Sequence, residues 1–192
     1  PEFSEHQVQD LARQSMQQLV MLVIDVLFTT RLIRLTTYTR YIELHNFREV
    51  LGLLLHRHGG LIMLSAHYGN FEILGYLMAT LGFPTWSVAR PLDNPYLSQW
   101  LFGVREKHGQ RLIIKKGAMS QVTQVLSQGG IVGFAADQNA GSKGIFVDFF
   151  GIPASMTAGI ARIALHSGAA VVPAFCVWDE QLGRFRTLYE PA

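Results

Sequence analysis

One histidine and one glutamate are spaced so that they could activate a hydroxyl group. His67 and Glu72 lie five residues apart in the segment His-Tyr-Gly-Asn-Phe-Glu. A neutral imidazole accepts a proton near neutral pH, and an adjacent carboxylate orients the ring and stabilises the imidazolium that forms. This spacing arises often by chance, and a lone histidine is more often structural or solvated. The pair therefore predicts general-base chemistry only where its surroundings support it.

A turn from a strand into a helix is predicted to carry the pair. The apolar run 61–65 has the length of a strand, and apolar residues recur at helical spacing after the pair. Asn70 is expected to cap the helix, and Glu72 would lie in its first turn, where the helix dipole favours a carboxylate. Gly69 lets backbone approach closely and leaves room beside His67 for a substrate. We therefore expect Gly69 and Asn70 at substrate-binding positions.

Strand-like and helix-like segments alternate through most of the chain. The first sixty residues read as helical, over 4–29 and 37–58, and end at a pair of glycines. Beyond them the predicted strands are 61–65, 85–89, 111–114, 131–135 and 171–177, and the predicted helices are 70–81, 95–108, 118–128 and 157–166. This alternation predicts an α/β fold with a mostly parallel or mixed central sheet flanked by helices. We expect one domain over 1–192, with a helical lead-in at 1–60 and an α/β core at 61–192.

Polar residues follow three of the predicted strands. His67 follows the first strand, Arg90 the second, and Asp137 and Gln138 the fourth. Ligands of such sheets bind beyond the carboxyl ends of the strands, so these residues should converge on one edge. Each also has a plainer interpretation, because Arg90 could pair with Asp93 in a turn and Asp137 could cap a loop.

The composition excludes several classes of protein. With 192 residues, 49% hydrophobic and 16% charged, the chain can bury the core of one domain. The net charge is +2 and the basic residues are scattered, which excludes a nucleic-acid-binding arm but is compatible with an anionic lipid surface or an acidic carrier. Cys176 is the single cysteine and lies in an apolar run, so a buried structural thiol is favoured over a nucleophile.

The apolar segment 19–28 is predicted to pack on the domain or to lie on a membrane surface. It contains Asp25 and is shorter than the roughly 20 apolar residues that span a bilayer. No signal peptide with a cleavage site is present. The chain starts without Met and stops shortly after Tyr189, so we expect further residues at both ends, where a membrane anchor could lie.

Other hydrolytic and phosphate-binding chemistries lack their motifs. His-Glu-x-x-His and paired cysteines, which a zinc hydrolase would need, are absent, as is the Gly-x-Ser-x-Gly of the α/β serine hydrolases. Neither Gly-x-Gly-x-x-Gly nor a P-loop occurs. Direct attack remains: the base deprotonates an acceptor hydroxyl, which attacks an activated acyl carbonyl without a covalent enzyme intermediate.

The histidine motif belongs to an ordered series of segments. After His-x4-Glu come Val-Ala-Arg-Pro-Leu-Asp-Asn-Pro at 88–95, Ala-Asp-Gln at 136–138, Phe-Val-Asp-Phe-Phe-Gly at 146–151, Thr-Ala-Gly at 157–159 and Ser-Gly-Ala-Ala-Val-Val-Pro at 167–173. This series closely resembles the bacterial lipid A biosynthesis acyltransferases, the lauroyl and myristoyl transferases of the glycerolipid acyltransferase superfamily. The resemblance covers most of the chain.

The resemblance implies a bacterial inner-membrane enzyme whose active site faces the cytoplasm. Such an enzyme moves a fatty acyl group from acyl carrier protein or coenzyme A to a hydroxyl of a glycolipid. The acyl thioester is a co-substrate, and no cofactor is expected. The resemblance implies that His67 is the catalytic base and that Glu72 is its carboxylate partner. Arg90 matches a residue that binds acceptor phosphate or the oxyanion. Asp137, with Gln138 beside it, matches a position near the acceptor.

Two alternatives remain open at this point. The chain could acylate another membrane lipid, such as a lysophospholipid or a glycosylated lipid, because the acceptor is not specified by the motifs. It could also be a catalytically silent lipid-binding domain, although an intact His67 and Glu72 argue against that. The family's amino-terminal membrane helix and a carboxy-terminal stretch are not seen in this sequence.

Overall fold

The computed structural model describes residues 3–56, 59–107, 109–114 and 117–190. The predicted helix ends at positions 58 and 108 lie outside the described residues. The helices are α1 (Glu5–Leu32), α2 (Tyr38–Tyr41), α3 (Phe47–His56), α4 (Phe71–Thr80), α5 (Pro95–Glu106), α6 (Ala118–Ser127) and α7 (Gly159–Ser167). The strands are β1 (Ile42–His45), β2 (Leu61–Ser65), β3 (Thr85–Ala89), β4 (Gln110–Ile114), β5 (Ile131–Ala135), β6 (Ile145–Phe149), β7 (Ile152–Met156), β8 (Ala170–Asp179) and β9 (Arg184–Tyr189).

A seven-stranded sheet forms the centre of the described structure, with the strand order β1-β9-β8-β2-β5-β3-β4. The neighbours β8, β2, β5, β3 and β4 run parallel to one another, whereas β9 runs antiparallel to β8. The predicted α/β fold with a mostly parallel central sheet is therefore confirmed. The carboxyl ends of β2, β5 and β3 lie next to each other, so the loops that follow them share one edge.

Helices cover the sheet on both faces, which explains why β2 reads as a continuous apolar run. Leu61 and Met63 pack in one core cluster with the buried face of α4, while Ile62 packs in another with residues of α6 and α7. Successive strand residues point to opposite faces, so an unbroken apolar strand needs cover on both sides. The core therefore holds β2, and with it the residues that follow β2, in a fixed position.

The predicted all-helical lead-in is wrong at β1. This short strand lies within the predicted helix 37–58 and pairs in parallel with β9, near the other end of the chain. The strand starts with the β-branched Ile42, which favours strands, and Asn46 follows its end with a φ of 59°. Four residues of the helical lead-in are thus part of the central sheet.

A two-stranded hairpin of β6 and β7 was also not predicted. Phe149 pairs with Ile152, and the two residues between them have positive φ, 55° at Phe150 and 80° at Gly151. Two central residues of positive φ are typical of the type I′ turn that joins antiparallel strands. The motif Phe-Phe-Gly at 149–151 is therefore a hairpin turn, and the hairpin forms a sheet of its own.

The long helix α1 packs against the domain along a narrow line. Val26 and Thr29 are buried, whereas large apolar side chains around the rest of the helix are exposed, including Met16, Val20, Ile24 and Phe28. Packing of segment 19–28 is thus confined to one side of the helix. Among the described helices, none combines the length and apolar composition needed to cross a bilayer.

Candidate functional site

The pairing of β2 with β5 brings His67 and Asp137 together. Ser65 lies opposite Ala135 in the parallel register, and the ladder continues with a hydrogen bond from the Ala136 amide to the Ser65 carbonyl. His67 and Asp137 each lie two residues beyond the paired residues Ser65 and Ala135. They therefore leave the sheet side by side at its carboxyl edge, where the convergence of polar residues was expected.

The Asp137 carboxylate holds His67 at two points. One oxygen, Oδ1, lies 2.7 Å from Nδ1 of the ring, and the other, Oδ2, accepts the His67 backbone N–H at 2.9 Å. A carboxylate can only accept hydrogen bonds, so the proton of the neutral ring belongs on Nδ1 and Nε2 is the basic nitrogen. The Phe71 ring lies edge-on to the imidazole at a centroid distance of 5.0 Å. This arrangement is that of a general base with an orienting carboxylate.

The environment keeps Asp137 ionised. Partial burial raises the pKa of Asp137, but hydrogen bonds from the His67 ring and the His67 backbone amide outweigh it, so that the pKa lies below its ordinary value. The carboxylate is therefore negative at neutral pH and can stabilise an imidazolium on His67. Both side chains remain partly open to solvent, with 42% of His67 and 37% of Asp137 exposed, so a substrate can reach them.

Glu72 has a different partner from the one expected. Its carboxylate forms a two-pronged ion pair with Arg105 of α5, with Arg105 Nε donating to Oε2 at 2.9 Å and Nη2 donating to Oε1. Only 12% of the Glu72 side chain and 14% of the Arg105 side chain are exposed. No hydrogen bond joins Glu72 to His67 in the described residues. The expectation that Glu72 orients His67 is not met by this geometry, which ties α4 to α5 instead, and a catalytic role for Glu72 stays a prediction.

We expect Glu72→Gln to destabilise the fold. The change leaves the Arg105 guanidinium without its counter-charge in a nearly buried place, and breaking a buried pair in this way costs about 3–5 kcal/mol. For a domain of this size the midpoint of thermal unfolding, Tm, should fall by about 6–20 °C. Differential scanning calorimetry measures this directly.

A second pair and a double variant control for the Glu72 result. Asp93→Asn breaks the exposed Arg90–Asp93 pair, and surface pairs contribute little, so its Tm should stay near that of the wild type. The double variant Glu72→Met with Arg105→Met should be more stable than either single variant, because no buried charge is left alone. A Glu72→Gln protein with unchanged Tm would contradict the structural role of the ion pair.

Arg90 and Gln138 lie at the same edge but do not contact the histidine. Arg90 follows β3, and its Nη2 donates to Asp93 Oδ1 at 3.0 Å, which is the turn pairing that was the plainer interpretation. Both partners are largely exposed, with 76% of Arg90 and 93% of Asp93 accessible. Gln138 is exposed next to Asp137. Substrate contacts of Arg90 and Gln138 therefore stay predictions.

Gly69 and Asn70 hold the turn that carries His67. Asn70 caps α4 as predicted, since its Oδ1 accepts the Ile73 N–H, and its own N–H donates to the Cys176 carbonyl at 2.7 Å. Gly69 has a φ of 62°, and a Cβ there would lie 2.1 Å from the Cys176 oxygen. The close approach expected of Gly69 is thus to strand β8. Substrate binding by Gly69 and Asn70 stays a prediction.

Cys176 is enclosed in this contact, which disfavours a role as a nucleophile. Its side chain is fully buried, and burial, with a smaller effect from the charge on Asp25, raises the pKa of the thiol. The reactive form of cysteine is the thiolate, which this environment disfavours. The burial supports the interpretation of Cys176 as a structural thiol, and the catalytic role of His67 stays a prediction.

An apolar cleft opens beside the His67–Asp137 pair. It has a volume of about 470 Å³ and is lined by Asp137 and Asn139 together with the hairpin residues Phe146, Phe149, Pro153 and Met156. A larger cleft, of about 800 Å³, lies elsewhere, at the carboxyl ends of α1, α4 and α5, where the cations Arg31 and Lys107 complement the helix dipoles. The smaller cleft combines apolar walls with Asp137, the carboxylate that holds His67.

Comparison with known proteins identifies the family. Residues 1–192 match the family described as bacterial lipid A biosynthesis acyltransferase. The chain belongs to this family. The resemblance inferred from the ordered motifs is therefore confirmed, and the chain is a member of a family of membrane-associated acyltransferases.

Individual acyltransferases similar to the chain come from several bacteria. A lipid A biosynthesis acyltransferase of Haemophilus influenzae is 25% identical over 69% of this chain and 42% of its own length. A phosphatidylinositol mannoside acyltransferase of Mycobacterium tuberculosis is 30% identical over 65% of this chain and 40% of its own length. Lipid A biosynthesis acyltransferase 2 of Shigella flexneri is 28% identical over 69% of this chain and 43% of its own length. The matched part thus spans about two fifths of these curated relatives.

Arg105 and Asp25 are the polar residues at the site that sequence reasoning missed. Arg105 binds Glu72, and the Asp25 carboxylate accepts a hydrogen bond from the Asn70 side chain. Asp25 did stand out as a charge within an apolar helix, which is a signal for a buried partner. Nothing local marks Arg105, because its partner lies 33 residues away on another helix.

Proposed function

We propose that this protein is an O-acyltransferase that moves a fatty acyl chain from an acyl thioester to a hydroxyl of a glycolipid. The observation that carries the proposal is the His67–Asp137 pair at the carboxyl edge of the sheet, open to solvent and next to an apolar cleft. Membership of the acyltransferase family supports the same reaction class.

In the proposed reaction His67 accepts a proton from the acceptor hydroxyl and later gives it to the leaving thiolate. Nε2 takes the proton of the acceptor hydroxyl as its oxygen attacks the thioester carbonyl, and Asp137 stabilises the resulting imidazolium. The tetrahedral oxyanion then collapses, the C–S bond breaks, and the leaving thiolate takes the proton back from Nε2. The products are an ester and a free thiol, no covalent enzyme intermediate forms, and the thioester is the only co-substrate, so no cofactor is required.

Arg90 is proposed to bind acceptor phosphate or the oxyanion. In the described structure its guanidinium faces only Asp93, in an exposed pair. Exposed pairs contribute little to stability, so a phosphate group can replace Asp93 at small cost. Gln138, and the backbone at Gly69 and Asn70, lie next to His67 and Asp137 and are proposed to contact the acceptor.

The carrier and the location follow from the same proposal. The donor is an acyl thioester of acyl carrier protein or coenzyme A, whose apolar chain the cleft beside Asp137 suits. The acceptor is a lipid A precursor or a similar glycolipid, so the enzyme works at a membrane surface, on the cytoplasmic face of the bacterial inner membrane. Nucleic acid has no part in this chemistry.

A second acceptor class is favoured by one observation. The mycobacterial relative at 30% identity is named for phosphatidylinositol mannoside, whereas the relatives named for lipid A are 25% and 28% identical. A glycosylated phosphoinositide is therefore the competing acceptor. Both classes offer a sugar hydroxyl on a phosphorylated lipid, and the His67 chemistry is the same for each.

One assay tests the proposal and separates the acceptors. Purified full-length protein is mixed with acyl carrier protein and coenzyme A thioesters of several chain lengths and with lipid A precursors, phosphatidylinositol mannosides and lysophospholipids. Mass spectrometry should show one acceptor class gaining one acyl chain, with release of one thiol. Lipid binding without transfer to any acceptor would contradict the proposal and favour the silent lipid-binding alternative.

A further inference from the structure

A single charged side chain joins the long amino-terminal helix to the turn that carries His67. Between Arg13 and Arg31, Asp25 is the only Asp, Glu, Lys or Arg. Its neighbours on the outer side of α1 are exposed apolar residues, while Asp25 itself is half-buried and faces the domain. A carboxylate within an apolar helix is unfavourable unless it has a partner. That partner is Asn70, whose Nδ2 donates to Asp25 Oδ2 at 3.0 Å.

The contact determines which way the Asn70 amide points. A carboxylate only accepts hydrogen bonds, so Asn70 must present its NH₂ group to Asp25. The amide oxygen then faces the other way, where it accepts the Ile73 N–H at the start of α4. The Asn70 backbone N–H is held in addition by the Cys176 carbonyl, and the Asn70 side chain is almost fully buried. Asn70 is thus held by α1, α4 and β8 together.

We propose that Asp25 is a positioning residue for His67, acting through Asn70. This inference rests on the proposed acyl transfer. Asn70 follows His67 by three residues, so the cap that Asp25 orients anchors one end of the turn, and Asp137 anchors the other. Without Asp25, Asn70 loses one of its three anchors, and the cap of α4 is less firmly held. The turn then moves relative to Asp137, and Nε2 leaves its reactive position.

The proposal gives α1 a role in catalysis as well as in stability. Most of α1 is exposed and apolar. Asp25 bonds the Asn70 cap of α4, and the Tyr76 hydroxyl of α4 donates to the Ile33 carbonyl at the end of α1 at 2.7 Å. A displacement of α1 from the domain therefore breaks or moves the Asp25–Asn70 hydrogen bond at the cap of α4.

The test compares Asp25→Leu with Asp25→Asn in the full-length protein. Leucine keeps the size of the side chain and removes the acceptor, whereas asparagine keeps an acceptor oxygen for Asn70 Nδ2. Misplacing a reactive group by about 1 Å can cost about 10²-fold in rate. We expect Asp25→Leu to lower kcat about 10-fold to 100-fold with KM for the donor within about twofold, and Asp25→Asn to restore kcat to within about threefold.

Hydrogen exchange supplies a readout that does not depend on activity. The Asn70 and Ile73 amides should exchange faster in Asp25→Leu than in the wild type, while the middle of α4 stays protected.

Two control variants lie on α1, the helix of Asp25. Asp10→Leu changes an exposed carboxylate, and Val26→Ala loosens the apolar packing of α1 but keeps the hydrogen bond, so neither should move exchange at Asn70. Where Asp25→Leu does not fold, Asp25→Ser, too short to reach Asn70, replaces it.

Three results would overturn the proposal. These are an Asp25→Leu enzyme with kcat within twofold of the wild type, unchanged exchange at Asn70 and Ile73, and an Asp25→Asn variant as impaired as Asp25→Leu. If the wild type transfers no acyl group at all, the proposed function fails and the positioning of His67 for it fails too. The exchange data then still report whether Asp25 holds the turn, which tells the two failures apart.

Discussion

His67→Ala should lower kcat for acyl transfer by about 10²–10⁴, the usual contribution of a general base. The alanine variant has no group that can take the proton of the acceptor hydroxyl. The ring is partly exposed and its packing contact is with Phe71, so its loss should leave the core intact. Initial rates by mass spectrometry give kcat, and calorimetry gives Tm.

A second exposed histidine provides the control for this experiment. His166 lies on α7, away from the carboxyl edge of β2, and His166→Ala should keep wild-type kcat. An intermediate loss in both variants would indicate a general effect on the protein. A folded His67→Ala enzyme that retains most of its activity would remove the assignment of His67 as the base.

Asp137→Asn should lower kcat by about 10²–10⁴ with little change in stability. Asparagine keeps the shape of the side chain, but its amide group can donate to the ring, which puts the imidazole proton on Nε2 where the base must be free. In the serine protease triad, replacement of the orienting aspartate by asparagine reduces kcat by about 10⁴ through the wrong tautomer. The variant also lacks the negative charge with which Asp137 stabilises the imidazolium. Rates measured beside Tm separate this effect from unfolding.

A comparison of Asp137→Asn with Glu72→Gln shows which carboxylate orients His67. Asp137→Asn should be folded and slow, whereas Glu72→Gln should be less stable, and any activity it keeps below its Tm should have the wild-type pH profile. The opposite pattern, with a fully active Asp137→Asn and a stable but inactive Glu72→Gln, would return the orienting role to Glu72. The two variants therefore assign the carboxylate partner of His67.

The spacing of His67 and Glu72 predicted that Glu72 orients His67, but the structure gives the two residues different partners. Residues five apart across a strand-to-helix turn are close along the chain, but the helix directs its first-turn side chains around its axis. In this fold Glu72 lies against α5, where Arg105 supplies a buried counter-charge. Asp137 is 70 residues from His67 and reaches it because β2 and β5 are neighbours. The sheet order, which no local pattern contains, selected the partner.

Local patterns predicted the elements around the site well. The strands β2, β3 and β5, the cap at Asn70 and the convergence of polar loops at one edge all agree with the structure. Each of these depends on residues close together in sequence, or on the general rule for parallel sheets. The strands that were missed are β1, β9 and the β6–β7 hairpin. The strand β1 is only four residues long, and its pairing with β9 joins distant parts of the chain.

The sequence by itself determined the α/β class and the family, and it singled out His67 as the candidate base. Apolar periodicity, cap residues and ordered motifs depend on residues close together in sequence. They can therefore be read without knowing which distant segments come into contact. Only the tertiary structure decided that Asp137 pairs with His67, that Arg105 binds Glu72 and that Asp25 reaches Asn70. These contacts join residues 33 to 70 positions apart, and their energy depends on which strands and helices become neighbours when the core packs.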